Sequence, residues 1–445
     1  MITAREAREL AKRAVAMTDA DQAEAVVIAE ESALTRFANN HVHQNVSETD
    51  ARISIRAVVG RRQGVAATNR FDDESLAACA ARAAEYARLA PEDEHFPGLP
   101  GPAPVRSPNR LTEATVALDP AARADAARAL IAPSASAGFN AAGKVAASDA
   151  VVAVANSLGV DVGMGTSNVT ANVLSMADGA GTGWASFIGG RADELDPEAL
   201  GEDAADLASR SREPKPLEPG SYTVVLAPDA VAEMLAMLAY VGFSAKAVEE
   251  GSSFMAGRIG ERLFSESVTI RDDALSEEAI GLTFDFEGMP KHPVDIIERG
   301  VVKGPVTDSY WAARTKRNNT GHALPAPNTL GPFPLDLEMA PGASTVDEMV
   351  ASIEKGVYVT RFHYVNVEDP VKAVLTGMTR DGTFMIENGR LTKPLKNLRF
   401  TQSAVEALAR VVAVGSERRR AGEMSGAVLA PALAIEGFGI TGQTG

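Results

Sequence analysis

The sequence predicts an α+β fold, with an N-terminal α/β sheet domain followed by a strand-rich C-terminal domain of large-sheet or barrel type. Three observations carry this reading. In the first half, helix-start signals alternate with apolar runs of strand length. Beyond Ser267 short strand-like segments dominate. Two similar hairpin signals also fall there, Ile297-Glu298-Arg299-Gly300 leading to Pro305 and Ile386-Glu387-Asn388-Gly389 leading to Pro394. Asn-Gly favours a type I′ turn because both positions tolerate positive φ. Two copies suit a large sheet or barrel with weak internal symmetry and are too few for a repeat fold.

Taken in order, Thr3 and Glu6 form a T-x-x-E capping box for a helix reaching about Met17. Ala23 to Glu31 reads as a strand. In ARISIRAVVG, Ile53, Ile55, Ala57 and Val59 face one way and Arg52, Ser54 and Arg56 the other, the pattern of a half-exposed antiparallel strand. A turn at Gly60 to Gly64 leads to a further strand, and Asp72 and Asp73 cap a helix to about Leu89. Residues 91–108 carry six prolines and read as a linker or an extended surface crossing. Asp119-Pro120 and Asp196-Pro197 each place an N-cap before a proline at the first helical position. Between them Lys144 to Gly190 is strand-rich, and the second helix ends near Arg212. Pro214, Pro216 and Pro219 mark the main boundary, giving an N-terminal domain over 1–213 and a C-terminal domain over 220–445. The latter opens with the strand SYTVVLA and one helix from about Pro228 to Val248. In that helix Val231, Met234, Leu235, Leu238 and Val241 recur at helical spacing.

Composition removes several function classes. The 445 residues carry 43 Lys and Arg against 59 Asp and Glu, a net charge of −16, whereas a polyanion-binding protein needs a basic face. Arg418-Arg419-Arg420 and Lys316-Arg317 read as solvated loop charge, so nucleic acid is not an expected partner. The single cysteine, Cys79, lies among alanines at helical spacing and reads as a small core residue. It also excludes zinc sites built from several thiolates. There is no signal-peptide pattern and no run of 18 apolar residues, so a soluble, cytoplasmic chain without a membrane partner is expected.

Local chemistry motifs fail on context. Gly138 to Val145 approaches a phosphate-binding loop, but Val145 replaces the required hydroxyl residue, and a helix precedes the loop while a strand follows it. Ser352-Ile353-Glu354-Lys355 matches S-x-x-K without its companion motifs, on a helix opened by the Thr345-x-x-Glu348 box. His41 and His43 could share one strand face, yet Asn39, Asn40, Gln44 and Asn45 make the segment a polar edge or loop. His95, His292, His322 and His363 are scattered, and neither H-E-x-x-H nor G-x-S-x-G occurs. Asp272-Asp273 and Asp285-x-Glu287 read as strand-end and turn residues rather than an acid/base pair.

Longer segments do carry a signal. ALTRFANNHVHQNV, ANSLGVDVGMGTSNVTANV with the later TGW, VVLAPDAVAEML, GSSFMAGRIGERL, TFDFEGMPKHPVDIIERG, NNTGHALPAPNTL and FMIENGRLTKPLKNLRF together resemble the TldD/PmbA family, PmbA also being called TldE. The resemblance runs in consistent order from about residue 20 to the C-terminus and implies a PmbA/TldD-like fold. Catalytic TldD-like members resemble zinc peptidases with H-E-x-x-x-H on the helix after the VVL strand and a cysteine ligand near the C-terminus. Gapless alignment from Val224 puts the motif's His, Glu and His at Ala236, Met237 and Val241, and the C-terminal region has no cysteine.

The resemblance therefore implies a TldE/PmbA-like chain with no catalytic, cofactor-binding or metal-binding residues of its own. It would be one subunit of a heterodimer whose TldD-like catalytic partner carries the zinc and whose substrate is a peptide or leader sequence. Two other readings stay open: a stand-alone peptide-binding or scaffold homo-oligomer, and a self-sufficient peptidase using His41, His43, His322 or His363 with nearby acids.

Overall fold

The computed structural model describes residues 2–422 and 427–443. Its first half contains α1 (Ala4–Ala16), β1 (Gln22–Ala38), β2 (His41–Val59), β3 (Arg62–Thr68), α2 (Asp73–Leu89), α3 (Glu113–Val116), α4 (Pro120–Ser136), β4 (Asn140–Asn156), β5 (Asp161–Ala177), β6 (Gly181–Gly189) and α5 (Pro197–Arg210). The six strands pair antiparallel in the order β3-β2-β1-β4-β5-β6. Thr3, Asp72, Asp119 and Asp196 cap α1, α2, α4 and α5 as read from sequence. Four helices cover one sheet face. α1 and α2 bury Ala7, Leu10, Leu76, Cys79 and Ala83 against Val27, Ile53 and Ile55. α4 and α5 bury Leu130, Ile131 and Ala204 against Phe37, Val145 and Val173. Small residues let these layers approach closely: a Cβ at Gly64 would lie 2.2 Å from the Ala87 amide nitrogen, so α2 rests directly on β3.

The first hairpin is longer than the sequence suggests. β1 and β2 continue through residues 32–50 to a turn at Asn39 and Asn40, both at positive φ. Apolar alternation is missing there because the helix-facing side is held by a polar anchor. Buried Arg123 on α4 donates to Thr35, Asn45 and Ser47. Residues 91–108 form an extended crossing pinned by buried Phe96 and Leu99 and by the Leu99 N–H donating to Gln22.

The second half runs β7 (Gly220–Leu226), α6 (Pro228–Gly242), α7 (Ala245–Glu249), β8 (Ile270–Asp272), β9 (Val294–Glu298), β10 (Val301–Val302), α8 (Ser309–Thr315), β11 (Leu337–Met339), α9 (Val346–Ala351), β12 (Lys355–Asp369), β13 (Val374–Glu387), β14 (Arg390–Pro394), β15 (Leu398–Ser403), α10 (Ala404–Ala409), β16 (Val411–Ala421) and β17 (Val428–Gln443). These strands form one mixed sheet. Within it β7, β12, β13, β15 and β17 close into a ring, because β7 pairs with both β12 and β17. Both expected hairpins are present, with Arg299-Gly300 and Asn388-Gly389 at positive φ. α6 packs with Val224, Leu226, Val357, Leu433 and Ile435 on one face of the sheet, while Met349, Val350 and Ile353 pack with Val225, Ala432 and Ala434 on the other.

Two expectations need correction here. The helix expected to reach Val248 ends at Gly242, with Phe243 as its C-cap, and α7 follows as a separate short helix. A side chain at Gly242 would collide with the Phe254 ring, 2.2 Å from its Cβ, so the chain turns where that aromatic packs. Arg418, Arg419 and Arg420 lie on strand β16 rather than in a loop, and each is engaged: Arg418 with Glu278 and Glu338, Arg419 with Asp229, and Arg420 with the Glu278 carbonyl.

The two halves meet across the other face of the first sheet, where Val26, Val152, Val154 and Met164 pack on Phe284. This covers the side of β2 that alternation alone makes solvent-facing. Arg56, 9% exposed, donates to Glu24 at 2.8 Å and to Glu287 at 3.3 Å. Burial works against its charge, but the two carboxylates outweigh this and hold the guanidinium above its ordinary pKa. Among the described residues no helix is long and apolar enough to cross a membrane.

Candidate functional site

A cleft of about 510 Å³ opens between the first sheet and α6. One wall is Lys144, Thr170, Asn172, Trp184 and Ser186 on β4, β5 and β6. The other is Asp229 and Glu233 on α6 with Arg361, His363 and Tyr364 on β12. Pro228 at the first helical position ends β7 and starts α6, which sets Asp229 in the first turn, where the helix dipole favours an anion. The Ser186 hydroxyl donates to Asp229 at 3.0 Å, and Arg419 donates to its second oxygen. Burial lowers the pKa of Arg419. Asp229 is thus occupied in tying β6, α6 and β16 together.

Arg361 is similarly committed. Its Nε and Nη2 both donate to Asp381 Oδ2, at 2.8 and 2.5 Å, and its guanidinium lies 4.0 Å from the centroid of the Trp184 ring. Stacking of this kind suits the planar guanidinium and fixes the indole at the cleft floor. Beyond Arg361 the β12–β13 register shifts, and Tyr364 takes φ 51° while remaining 72% exposed. A non-glycine residue held in the left-handed region is strained, and here the bulge turns an aromatic ring outward at the cleft mouth.

The positions that would carry zinc do not fit it. Ala236, Met237 and Val241 on α6 are 3%, 8% and 6% exposed and belong to the apolar core. Alanine and valine have no donor atom, a thioether does not suit zinc, and no general base stands there. Among the described residues no group of three or more His, Cys, Asp or Glu is placed to hold a metal ion.

The remaining histidines do not converge. His41 and His43 are exposed near the tip of the first hairpin, where His41 Nδ1 contacts the Asn39 carbonyl at 2.6 Å. His95 and His292 are exposed on separate segments. His322 is buried, with Nε2 2.9 Å from Asp272 Oδ1 and Nδ1 2.9 Å from the Thr320 hydroxyl. That arrangement has the form of a nucleophile relay, but the half-buried Thr320 hydroxyl is committed to donating to the Thr307 carbonyl at 3.0 Å. Lys291 and Asp336, both buried, pair beside it at 2.8 Å.

Asp285 has the turn role read from sequence, accepting N–H bonds from Glu287, Met289 and Ala323, each at 2.9 Å. Burial and the neighbouring Glu287 push its pKa up to about 8. Ser352 is the C-cap of α9, and Lys144 lies on β4 with no helix following it. The sequence reading missed Asp229, Arg361 and Trp184. The available signal was an arginine inside an otherwise apolar strand, VYVTRF, and the Trp of the TGW segment.

Comparison with known proteins follows the same lines. Residues 219–442 match the model described as the PmbA/TldA metallopeptidase C-terminal domain, 107–212 its central domain and 23–87 its domain 1. A metalloprotease of Methanothermobacter thermautotrophicus is 26% identical over 228 residues, covering 50% of this chain and 49% of that protein. A metalloprotease TldD homolog of Haemophilus influenzae is 28% identical over 174 residues, covering 37% of this chain and 35% of that protein. The chain thus spans about half the length, or less, of these curated relatives. The crystal structure of TldE from Thermococcus kodakarensis superposes with a TM-score of 0.87 at 20% identity, over 99% of this chain and all of that one, which is a likeness of fold.

Proposed function

The chain belongs to the PmbA/TldA metallopeptidase family, and on that premise we propose that it is the non-catalytic subunit of a heterodimeric zinc metallopeptidase acting on peptides or leader sequences. A TldD-like partner brings the zinc and the hydrolytic centre. The observation that carries this reading is α6, which occupies the place of the ligand helix and presents Ala236, Met237 and Val241 to the core. This chain's contribution is shape. Asp229, Ser186 and Arg419 fix the helix against the first sheet, and Arg361 on Trp184 fixes the cleft floor. Such a subunit needs its fold and its open surfaces but no metal.

The test is co-expression with TldD-like homologues from the same genome, followed by size exclusion with light scattering, metal analysis and mass spectrometry of cleaved peptides. The expected result is a mixed complex with zinc in the partner and peptide cleavage only by the complex. Stoichiometric zinc and chelator-sensitive hydrolysis by the lone chain, or a homologue that cleaves peptide equally well without it, overturns the reading.

A further inference from the structure

The first half's own helices cover one face of the first sheet. Between the contacts that the second half makes with the other face, at Phe284 and at Ser186 with Asp229 of α6, that face is open. A second cleft, of about 440 Å³, lies on that face and shares Lys144 and Thr170 with the cleft at α6, so the two form one trough. The strand register arranges this face in rows, in which Lys144, Leu34, Val46, Glu48 and Glu30 line the cleft and Arg36 and Asp50 lie next to them in register at its border. Arg36 stands opposite both Gln44 and Lys144, and the row continues through Asn172 to Ser186. Two residues along, Leu34 stands opposite Val46 and Ala146. In the next row Ser32 faces Glu48 and Ser148, and in the next Glu30 faces Asp50.

The cleft and its border are therefore graded from two adjacent cations, Lys144 in the lining and Arg36 beside it, through an aliphatic row, to three carboxylates, Glu30 and Glu48 in the lining and Asp50 beside them. Like charges directly opposite one another destabilise a sheet, and this sheet carries two such pairings. Arg36, Lys144, Glu30, Glu48 and Asp50 form no ion pair among the described residues, although ion pairs are common elsewhere on the molecule. Arg36, Glu30, Glu48 and Asp50 are exposed and Lys144 is half-buried, so their charges are available to a ligand.

We infer that this trough holds an extended peptide segment and reads its charge order, with a carboxylate over Arg36 and Lys144, an aliphatic side chain over Leu34 and Val46, and a cation over Glu30, Glu48 and Asp50. Same-face side chains of an extended chain repeat at about 6.8 Å, the same spacing as the rows beneath them. The segment thus has an acidic residue at one position, an aliphatic residue two further and a basic residue four to six further, in one chain direction or the other. The order of cation, aliphatic and carboxylate rows at strand spacing complements the same-face side chains of an extended chain, and this selects an unfolded segment as the occupant. This inference rests on the peptide-handling reading above and names its substrate class.

The experiment measures fluorescence anisotropy of labelled peptides on the purified chain without a peptidase partner. One peptide carries Asp, Leu and Lys at relative positions 0, 2 and 6, a second the reversed order, and a third of equal composition has the two charges adjacent. The expected result is that one ordered peptide binds at least about tenfold tighter than the third, with the difference fading at high salt. R36E/K144E, both on the open face, should abolish the preference. R36E/K144E/E30K/D50K should transfer it to the other ordered peptide, which a merely structural role would not produce. Thermal melts confirm that each variant folds.

Equal binding of all three peptides, or of none, overturns the inference. So does loss of complex assembly with a TldD-like subunit in R36E/K144E without any effect on peptide binding, since the face would then be a protein interface. Ordered binding by a chain that joins no peptidase would overturn the subunit reading instead and leave this one standing.

Discussion

Arg56→Met tests how the two halves are held together. The variant keeps an unbranched apolar stem but removes the counter-ion from Glu24, 2% exposed, and Glu287, 8% exposed. Removing one partner of a buried ion pair costs about 3–5 kcal/mol, because the remaining charge stays desolvated. Glu287 still accepts from the Ser309 N–H, at 3.2 Å, so the main orphan is Glu24. With a urea slope of about 3 kcal/mol/M, the midpoint should fall by roughly 1–2 M, followed by tryptophan fluorescence from Trp184 and Trp311.

Replacing the pair by apolar groups, Arg56→Met with Glu24→Leu, should recover at least half of the loss. The pH dependence adds an independent sign. Burial already raises the pKa of Glu24 and Arg56 opposes that rise. Without Arg56 the folded carboxyl binds a proton over a wider range than the unfolded one, so its stabilisation is present at low pH and lost as pH rises through the folded value. The deficit should therefore be smaller at pH 5 than at pH 8. A midpoint equal to that of the parent, or a deficit growing toward acid, refutes the argument.

Leu235→Ala and Leu238→Ala, both fully buried on α6, should each cost about 2–5 kcal/mol in urea unfolding. Ala236→His with Val241→His should yield no hydrolysis of peptide substrates, because no base and no supporting partners for the rings would stand there. Asp285, raised to about 8, and Asp308, raised to about 6 by burial, bind protons in the folded state that the unfolded chain releases near its ordinary value of 3.8. Stability should accordingly decline as pH rises from about 4 to 8, and Asp285→Asn should flatten that decline in thermal melts. Arg123→Met leaves buried Thr35 with one partner fewer and should cost about 1–3 kcal/mol, with faster amide exchange over residues 33–47 as the readout.

What the sequence made legible was whatever is decided within a few residues. The caps at Thr3, Asp72, Asp119, Asp196 and Thr345 are local bargains between a side chain and the next turn, and each starts a helix. The two Gly turns are local in the same sense. Less legible were features whose partners lie far along the chain. Nothing near Arg418 to Arg420 announces Glu278, Glu338 or Asp229, so three engaged arginines look like loop charge. Ring closure depends on Leu433 meeting Leu226. The hairpin over residues 32–50 has neither face apolar, one held by Arg123 and the other open, and so shows no strand period. For the candidate site, the apolar identity of Ala236, Met237 and Val241 is read directly from the sequence, whereas Asp229 and Arg361 become notable only once three elements converge on them.

The placement of charge along α6 separates two ways of using the same helix. Asp229, Glu233, Ala236, Met237 and Tyr240 fall on one stripe at helical spacing, of which Asp229 and Glu233 border the cleft while Ala236 and Met237 are buried in the core. A helix that does metal chemistry keeps donors in the middle of such a stripe, where the protein can orient them from both sides. Here the middle is alanine and methionine, and the best-placed acid, Asp229, sits at the N-terminal end, where the dipole stabilises it and Arg419 and Ser186 consume its lone pairs. Its bonds join sheet, helix and β16, so its removal should loosen the cleft rather than abolish a reaction step. Charge left available to a ligand lies instead on the open sheet face, at Arg36 and Lys144 and at Glu30 and Asp50. On the proposed reading, selection of a peptide by that face and hydrolysis at a partner's zinc would be separable, and variants of the trough should change which peptides the complex cleaves while leaving the turnover of a short uncharged one intact.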